Sequence, residues 1–196
     1  MNRVLQYWRM KGCSEAFQAE IVNYADDFVI LSRGHAARAL DWTRNVMARI
    51  GLTLNEAKTS IKKARKERFD FLGYTFGSQR SRDDGHWYLG ASPSKKSVSR
   101  IKRKVGDLLQ PRHVGTWPEV RDQLNRILRG WSAYFHYGAR KAAYRAIDNY
   151  VYHGVLDFLR RRSQVQSCGT RRFSYQAVYG ERGVLRLRRV HLGPLP

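Results

Sequence analysis

Residues 19–32, AEIVNYADDFVILS, decide the fold of the first part of the chain. Two apolar runs, residues 21–24 and 28–31, flank a short centre that carries two adjacent aspartates, Asp26 and Asp27. Enrichment in Ile, Val, Phe and Tyr on both sides of a polar centre is typical of two strands joined by a tight turn. The pattern therefore predicts a β-hairpin with both aspartates at its tip.

The paired carboxylates favour a metal site. At the tip of an apolar hairpin they repel each other and lose solvation, and a bound cation compensates for both effects. Carboxylate oxygens suit Mg²⁺, which enzymes of phosphoryl transfer use in pairs. Asp26 and Asp27 are thus candidate metal ligands, and a solvated Asp-Asp turn is the alternative interpretation.

Beyond the hairpin, helical and extended patterns alternate. Apolar residues recur at helical spacing over residues 36–50, and Gly51 is suited to end that helix. A short element is predicted over residues 52–61. The alternating aromatic run at residues 69–76, FDFLGYTF, is typical of a strand with a turn or kink at Gly73.

From residue 92 the pattern is mostly helical. Ser92 is a candidate N-cap with Pro93 as the first helical residue, and the capping-box signature TWPE begins at Thr116. A further helix is predicted to begin near Ala139, and a strand is predicted at residues 184–190. These patterns together predict the α+β fold class.

The positive charge is large and uneven. The chain has 37 Lys and Arg against 16 Asp and Glu, a formal net charge of +21. Residues 1–93 contribute +5 of this charge and residues 94–196 contribute +16. Such a surplus is typical of proteins that bind a polyanion, and basic residues interleaved with aromatics over several helices favour nucleic acid over membrane. A merely solubilising surface is the alternative.

Other classes of protein have little support in the sequence. The two cysteines, Cys13 and Cys168, are far apart, and the six His residues are scattered, which disfavours a disulfide framework and a zinc site. No apolar run approaches the roughly 20 residues that span a bilayer, and the N-terminal stretch lacks the apolar core of a signal peptide. We therefore expect a cytoplasmic protein with no membrane partner.

Several blocks occur in a recognisable order. YADD at residues 24–27, GLTLNEAKTS at 51–60 and FDFLGYTF at 69–76 resemble the last three blocks of the reverse transcriptase palm in group II intron maturases. ILRGWSAYFHYG at 127–138 and VYHGVLDFLRRR at 151–162 resemble the maturase-specific domain of that family. The resemblance covers about residues 18–190.

The resemblance implies an architecture. Residues 1–92 would form the C-terminal part of a polymerase palm, built of a β-hairpin, a helix and strands. Residues 93–165 would form an all-α, thumb-like maturase-specific domain, and residues 166–196 its basic tail. By the same resemblance, the complete enzyme copies an RNA template from a DNA primer with Mg²⁺, and it binds its group II intron RNA to assist splicing.

The resemblance also implies roles for single residues. The two aspartates would be the catalytic metal ligands, with Asp26 the stronger candidate, and Tyr24 would line the site near the primer end. Lys58 would orient phosphates or protonate the leaving pyrophosphate, and a solvated lysine is its alternative. Gly73 and Tyr74 match the hairpin that grips the primer.

A complete palm also needs a third carboxylate and fingers ahead of the YADD block. Only 23 residues precede Tyr24, so we expect that this chain alone does not extend a primer. A separate N-terminal reverse transcriptase segment is then a candidate partner. The alternatives are a non-catalytic RNA-binding maturase module and the relic of a decayed mobile element.

In the second half, the basic residues of the helices are candidate contacts to RNA phosphates, which position RNA without reading its sequence. The candidates are Lys95, Lys96, Arg100, Lys102, Arg103, Lys104, Arg121, Arg129, Arg140 and Lys141. Aromatic side chains can also stack on bases of single-stranded RNA. Trp131 and Phe135 lie on an apolar stripe and are predicted to be core residues. For Tyr134 and Tyr137 the pattern does not decide between core packing and stacking on bases.

Overall fold

The computed structural model describes residues 2–81, 84–112, 114–162 and 174–190. The chain forms two compact units, residues 1–63 and residues 64–196. Each unit combines helices with a small antiparallel sheet. The predicted α+β class is therefore confirmed.

The first unit contains the predicted hairpin. Its elements are α1 (Asn2–Met10), α2 (Cys13–Ala16), β1 (Ala19–Tyr24), β2 (Asp27–Ser32) and α3 (Ala36–Arg49). The pairing of β1 with β2 runs from Ala19 opposite Ser32 to Tyr24 opposite Asp27, which confirms the hairpin. The prediction of a short element over residues 52–61 is wrong, because this stretch contains only a turn.

Aromatic packing holds the helices of the first unit to the hairpin. Trp8 of α1 is 1% exposed, and its ring meets that of Trp42 of α3 edge-on at 5.3 Å. Phe17 and Ala19 join the same cluster, with Ile21 of β1 against it. Because one face of β1 and β2 is covered in this way, the opposite face of the hairpin and its tip are left towards solvent.

The second unit combines a sheet with three long helices. Its elements are β3 (Phe69–Phe71), β4 (Tyr74–Arg80), β5 (Trp87–Pro93), α4 (Lys95–Leu108), α5 (Trp117–Tyr134), α6 (Lys141–Arg162), a π-helix (Ala177–Glu181) and a 3-10 turn (Leu187–Arg189). The strands are ordered β3-β4-β5. The prediction of a strand at residues 184–190 is wrong, since this stretch contains the 3-10 turn and no strand.

The sheet is hydrogen-bonded to the helical part of its unit. The amide of Ser94, at the start of α4, donates to the carbonyl of Gly73 at 2.9 Å, and the amide of Ala139 donates to that of Ala91 at 2.8 Å. The division expected between residues 92 and 93 therefore does not coincide with the compact units. The assignment of residues 1–92, 93–165 and 166–196 to palm, thumb and tail stays a prediction.

The starts of the long helices follow local chemistry. Strand β5 continues through Pro93, so the predicted cap at Ser92 is wrong, and Ser94 instead caps α4 by accepting from the amide of Ser97 at 3.2 Å. At α5, Glu119 accepts from the amide of Thr116 at 2.7 Å, as expected for a capping box. Helix α6 begins at Lys141, two residues after the predicted start.

One apolar core joins α4, α5 and α6. Val105, Leu124, Leu128, Ile147 and Val155 are buried to 0% exposure. Burial of each such side chain contributes about 1.5–3 kcal/mol relative to exposure. The apolar faces of the three helices line this core, so their opposite faces carry the charged residues.

Candidate nucleic-acid interface

The tip of the hairpin presents the predicted carboxylates to solvent. Asp26 lies in the two-residue turn and Asp27 begins β2, and both are exposed. Tyr24, opposite Asp27 in the register, is 66% exposed. Ala25 adopts a φ of +52°, a left-handed conformation that costs a residue with a Cβ about 1 kcal/mol.

Two carboxylates are a partial ligand set for a metal ion. Across the described part of the chain, no cluster of three or more His, Cys, Asp or Glu residues is arranged to hold one. Mg²⁺ keeps several waters and is usually bound through one or two carboxylates and the phosphates of a substrate. The donor chemistry of Asp26 and Asp27 therefore fits a magnesium site that substrate and water complete.

Lys58 lies in the same unit as the hairpin, on a turn. Its amide donates to the carbonyl of Asn55 at 2.9 Å, and its side chain is exposed. No hydrogen bond or ion pair among the described residues joins Lys58 to Asp26 or Asp27. Its assigned role towards phosphates stays a prediction.

Of the two predicted primer-grip residues, Gly73 lies on the tight turn between β3 and β4, and Tyr74 is the first residue of β4. Leu72 and Gly73 have φ values of +49° and +79°, the pattern of a type I′ hairpin. A Cβ at Gly73 would lie 2.9 Å from Ser97 Oγ and 3.1 Å from Phe135 Cζ. Packing inside the unit is thus a sufficient reason for glycine at this position.

Helix α4 carries the densest group of predicted phosphate contacts. Lys95, Lys96, Arg100, Arg103 and Lys104 are exposed, and Lys102 is half-buried with its Nζ 5.5 Å from the ring centre of Tyr150. Residues three and four apart are neighbours on a helix surface. Lys96, Arg100 and Arg103 therefore form one row, which we call the α4 row.

The other predicted basic residues differ in their surroundings. Arg129 and Lys141 are exposed. Arg121 is paired with Asp122 at 2.8 Å, which raises the pKa of its guanidinium, and Arg140 lies 5.9 Å from the ring centre of Tyr144. Arg121 and Arg140 therefore have contacts within the fold.

The aromatic residues separate into core and surface. Trp131 is half-buried and Phe135 is 6% exposed, and their rings lie 4.6 Å apart, as expected for core residues. Tyr134 is 54% exposed, but its hydroxyl donates to the carbonyl of Leu72 at 2.9 Å. Tyr137 is 68% exposed, so it is the better candidate for stacking on a base.

A cleft adds arginines that the sequence did not single out. It has a volume of about 470 Å³ and lies between α5 and residues 183–190, and its lining includes Arg129 of α5 together with Arg186 and Arg189. Arg126 lines a second cleft of about 420 Å³, which shares Arg129 with the first. The arginines on the two walls are nearly 60 residues apart in the chain, so no local spacing connects them.

Comparison with known families identifies the helical region. Residues 98–176 match the family described as "Group II intron, maturase-specific domain". The chain therefore contains a domain of the maturase class. The predicted resemblance to the C-terminal part of a group II intron maturase is confirmed for this domain, while the palm assignment of the residues before it stays a prediction.

Two further findings concern the chain beyond this domain. No curated protein matches the chain. Among the helices of the described residues, none combines the length and the apolar character that a membrane span requires.

Proposed function

We propose that this chain binds group II intron RNA and assists its splicing, and that its main RNA contact is the α4 row. The observation that carries the proposal is the composition of α4, where six basic residues accompany a single acidic one, Asp107, and four of the six lie within the matched residues 98–176. Basic side chains along a helix neutralise successive phosphates and release counterions. This mode of contact positions an RNA without reading its sequence.

We further propose that residues 1–92 belong to a reverse transcriptase palm, supported by the exposed carboxylates at the tip of the hairpin. Asp26 and Asp27 would hold Mg²⁺, and the bound ion supplies Lewis-acid chemistry for phosphoryl transfer. Tyr24 and Lys58 would lie near the primer end and the phosphates of the nucleotide. An RNA template with its DNA primer and an N-terminal reverse transcriptase segment are the partners of this activity.

The location of the protein is part of the proposal. We infer a cytoplasmic protein, because the sequence has only two widely separated cysteines. The described one, Cys13, is a buried free thiol. Burial raises the pKa of this thiol and disfavours its reactive thiolate form.

The test of RNA binding neutralises the α4 row. Lys96→Gln, Arg100→Gln and Arg103→Gln in one protein should weaken binding to intron RNA by about 100-fold at physiological salt, since each lost phosphate contact weakens it severalfold. The matched control neutralises Arg3, Arg9 and Arg49, which are exposed in the first unit and change the net charge equally. Equal losses in both triple variants would contradict the α4 row as the contact, and no binding by the unaltered chain would contradict the function.

A further inference from the structure

We propose that the cleft between α5 and residues 183–190 binds one nucleotide of single-stranded RNA, with arginines on its phosphate and the apolar wall against its ribose or base. This inference rests on the proposed RNA binding and assigns it a second, specific contact. The wall formed by residues 183–190 lies beyond the matched residues 98–176, whereas Asn125 and Arg129 of the α5 wall lie within them, so the family match covers only part of the site.

The wall formed by residues 183–190 is fixed to α5. Asn125 is 8% exposed, and its side-chain amide donates to the carbonyl of Gly183 at 2.9 Å. Its Oδ1 accepts from the amide of Leu185 at 2.7 Å. Asn125 therefore uses a donor and an acceptor to hold an irregular segment at a fixed distance from the helix.

A second anchor holds the same wall to α6. The carboxylate of Asp148 is 1% exposed and accepts from the amide of Leu187 at 2.8 Å and from that of Arg188 at 3.3 Å. Asn125 and Asp148 thus fix the segment on either side of Arg186. A wall that is held before ligand arrives loses less conformational entropy on binding.

Two arginines of the cleft have guanidinium N–H groups that donate to no acceptor among the described residues. Arg129 is exposed, and its guanidinium makes no hydrogen bond within the described residues. Arg186 lies over the rings of Tyr175 and Tyr179, at 4.9 and 5.9 Å from their centres. Its Nε is buried, and none of the described residues offers it an acceptor.

Because the Nε of Arg186 is closed to solvent, a phosphate in the cleft would be bound by the terminal nitrogens of this guanidinium rather than by Nε. Guanidinium groups bind phosphate through two parallel hydrogen bonds, and this geometry distinguishes Arg from Lys. Arg129 and Arg186, on opposite walls, can therefore hold a phosphate between them.

The remaining lining indicates more than a phosphate. Val184, Leu185 and Val190 make up an apolar part of the cleft beside the arginines, together with the ring of Tyr179. A nucleotide needs both kinds of surface, because its phosphate is charged and its base and ribose have apolar faces. Bases are accessible in this way only in unpaired RNA, since those of a duplex are stacked inside it.

The experiment uses the full chain and an eight-nucleotide oligouridylate that carries one photoreactive 5-iodouridine. Arg129→Gln should weaken binding about tenfold and lower the log–log salt slope by about one unit. Arg186→Lys keeps the charge, so affinity should fall while the slope stays, because the paired hydrogen bonds are lost. Arg145→Gln, an exposed arginine of α6, is the control, and circular dichroism checks that each variant is folded.

The outcomes separate this inference from the proposed function. Crosslinks within residues 177–190, competed by uridine monophosphate but not by inorganic phosphate, support a nucleotide site. If the α4 row variant loses affinity while Arg129→Gln and Arg186→Lys bind normally and no crosslink falls in residues 177–190, the cleft assignment is wrong and RNA binding stands. Equal competition by phosphate, or equal binding of a blunt RNA duplex, also overturns it. Failure of the unaltered chain to bind RNA overturns both.

Discussion

Tyr74 and Tyr134 exchange hydrogen bonds with each other's segment. The hydroxyl of Tyr74 donates to the carbonyl of Tyr134 at 2.8 Å, and the hydroxyl of Tyr134 donates to the carbonyl of Leu72 at 2.9 Å. The two rings lie 6.1 Å apart. Burial raises the pKa of Tyr74, which favours the protonated phenol that donates this bond. This pair joins the β3–β4 turn to the end of α5.

Removal of either hydroxyl should weaken the contact between the β3–β4 turn and the end of α5. Tyr74→Phe and Tyr134→Phe should each lower the free energy of unfolding by about 1 kcal/mol, the usual net value of one hydrogen bond. Urea denaturation measures the change, and the double variant shows whether the two bonds are coupled. Tyr137→Phe is the control, since that side chain is 68% exposed. Equal stability of all the variants would mean that water replaces both bonds without loss.

Gly138 is required by a close approach of two backbone segments. Its φ is +68°, and a Cβ there would overlap the carbonyl oxygen of Ala91. Gly138→Ala should therefore destabilise the protein by about 2–4 kcal/mol in thermal or urea unfolding. Gly130→Ala is the contrasting control, because, apart from the neighbouring backbone of α5 itself, no atom lies within 4 Å of its new methyl group. Inside α5 it should stabilise by about 0.5–1 kcal/mol, and a loss of stability there would contradict this description of α5.

The buried carboxylate of Asp148 gives the fold a pH dependence. Burial is the largest influence on its pKa and raises it, although bonds from Leu187 and Arg188 act in the opposite direction. An acid whose pKa is raised in the folded state binds its proton more tightly there. Its contribution to stability is then complete below the unfolded pKa of about 3.9 and is lost as pH rises through the folded pKa.

The measurement compares wild type with Asp148→Asn in urea between about pH 4 and 7. The free energy of unfolding of wild type should fall relative to that of Asp148→Asn as pH rises from about 4. Asp107→Asn, which changes an exposed aspartate of α4, should follow wild type. A relative gain by wild type over the same range would show that the hydrogen bonds, rather than burial, set the pKa.

The success of the sequence predictions depended on how local each signal is. The hairpin with Asp26 and Asp27 was predictable because both strands and their turn lie within residues 19–32. The helical character of the chain from residue 92 was predictable for the same reason, because a helical pattern is visible within one segment. By contrast, α1 and α2 were not predicted, although Trp8 is among the most buried residues of the first unit.

The wrong predictions at Ser92 and at residues 184–190 share a cause. Ser92 and Pro93 have the residue types of a helix start, but pairing of β5 with β4 extends the strand through Pro93, so tertiary hydrogen bonds override the local preference. Residues 184–190 alternate like a strand, yet the buried carboxylate of Asp148 and the side chain of Asn125 bind their backbone instead. Partners nearly 40 and 60 residues away could not be inferred from spacing.

Salt dependence tests whether phosphate contacts dominate RNA binding. The net charge of +16 in residues 94–196 predicts a log–log slope of several units for the affinity between 50 and 200 mM salt. The α4 row variant should lower the slope by about three units, one for each lost contact. A filter-binding titration at several salt concentrations gives both values. An affinity that does not change with salt would contradict an interface of phosphate contacts.

The last prediction concerns the carboxylates at the tip of the hairpin. The 196-residue chain alone should not extend a primer with Mg²⁺ and deoxynucleotides, because two-metal phosphoryl transfer needs ligands for both ions and a held nucleotide, and poor positioning can cost several kcal/mol of barrier. Addition of an N-terminal reverse transcriptase segment should restore synthesis.

In that restored system Asp26→Asn should abolish extension, since it removes a charged metal ligand at nearly constant size. RNA affinity should stay unchanged in filter binding, because the α4 row is untouched. Glu20→Gln, an exposed acid on the same hairpin, should leave extension intact. Robust extension by the chain alone would contradict the need for a partner, and full activity of Asp26→Asn would contradict the assignment of the metal ligand.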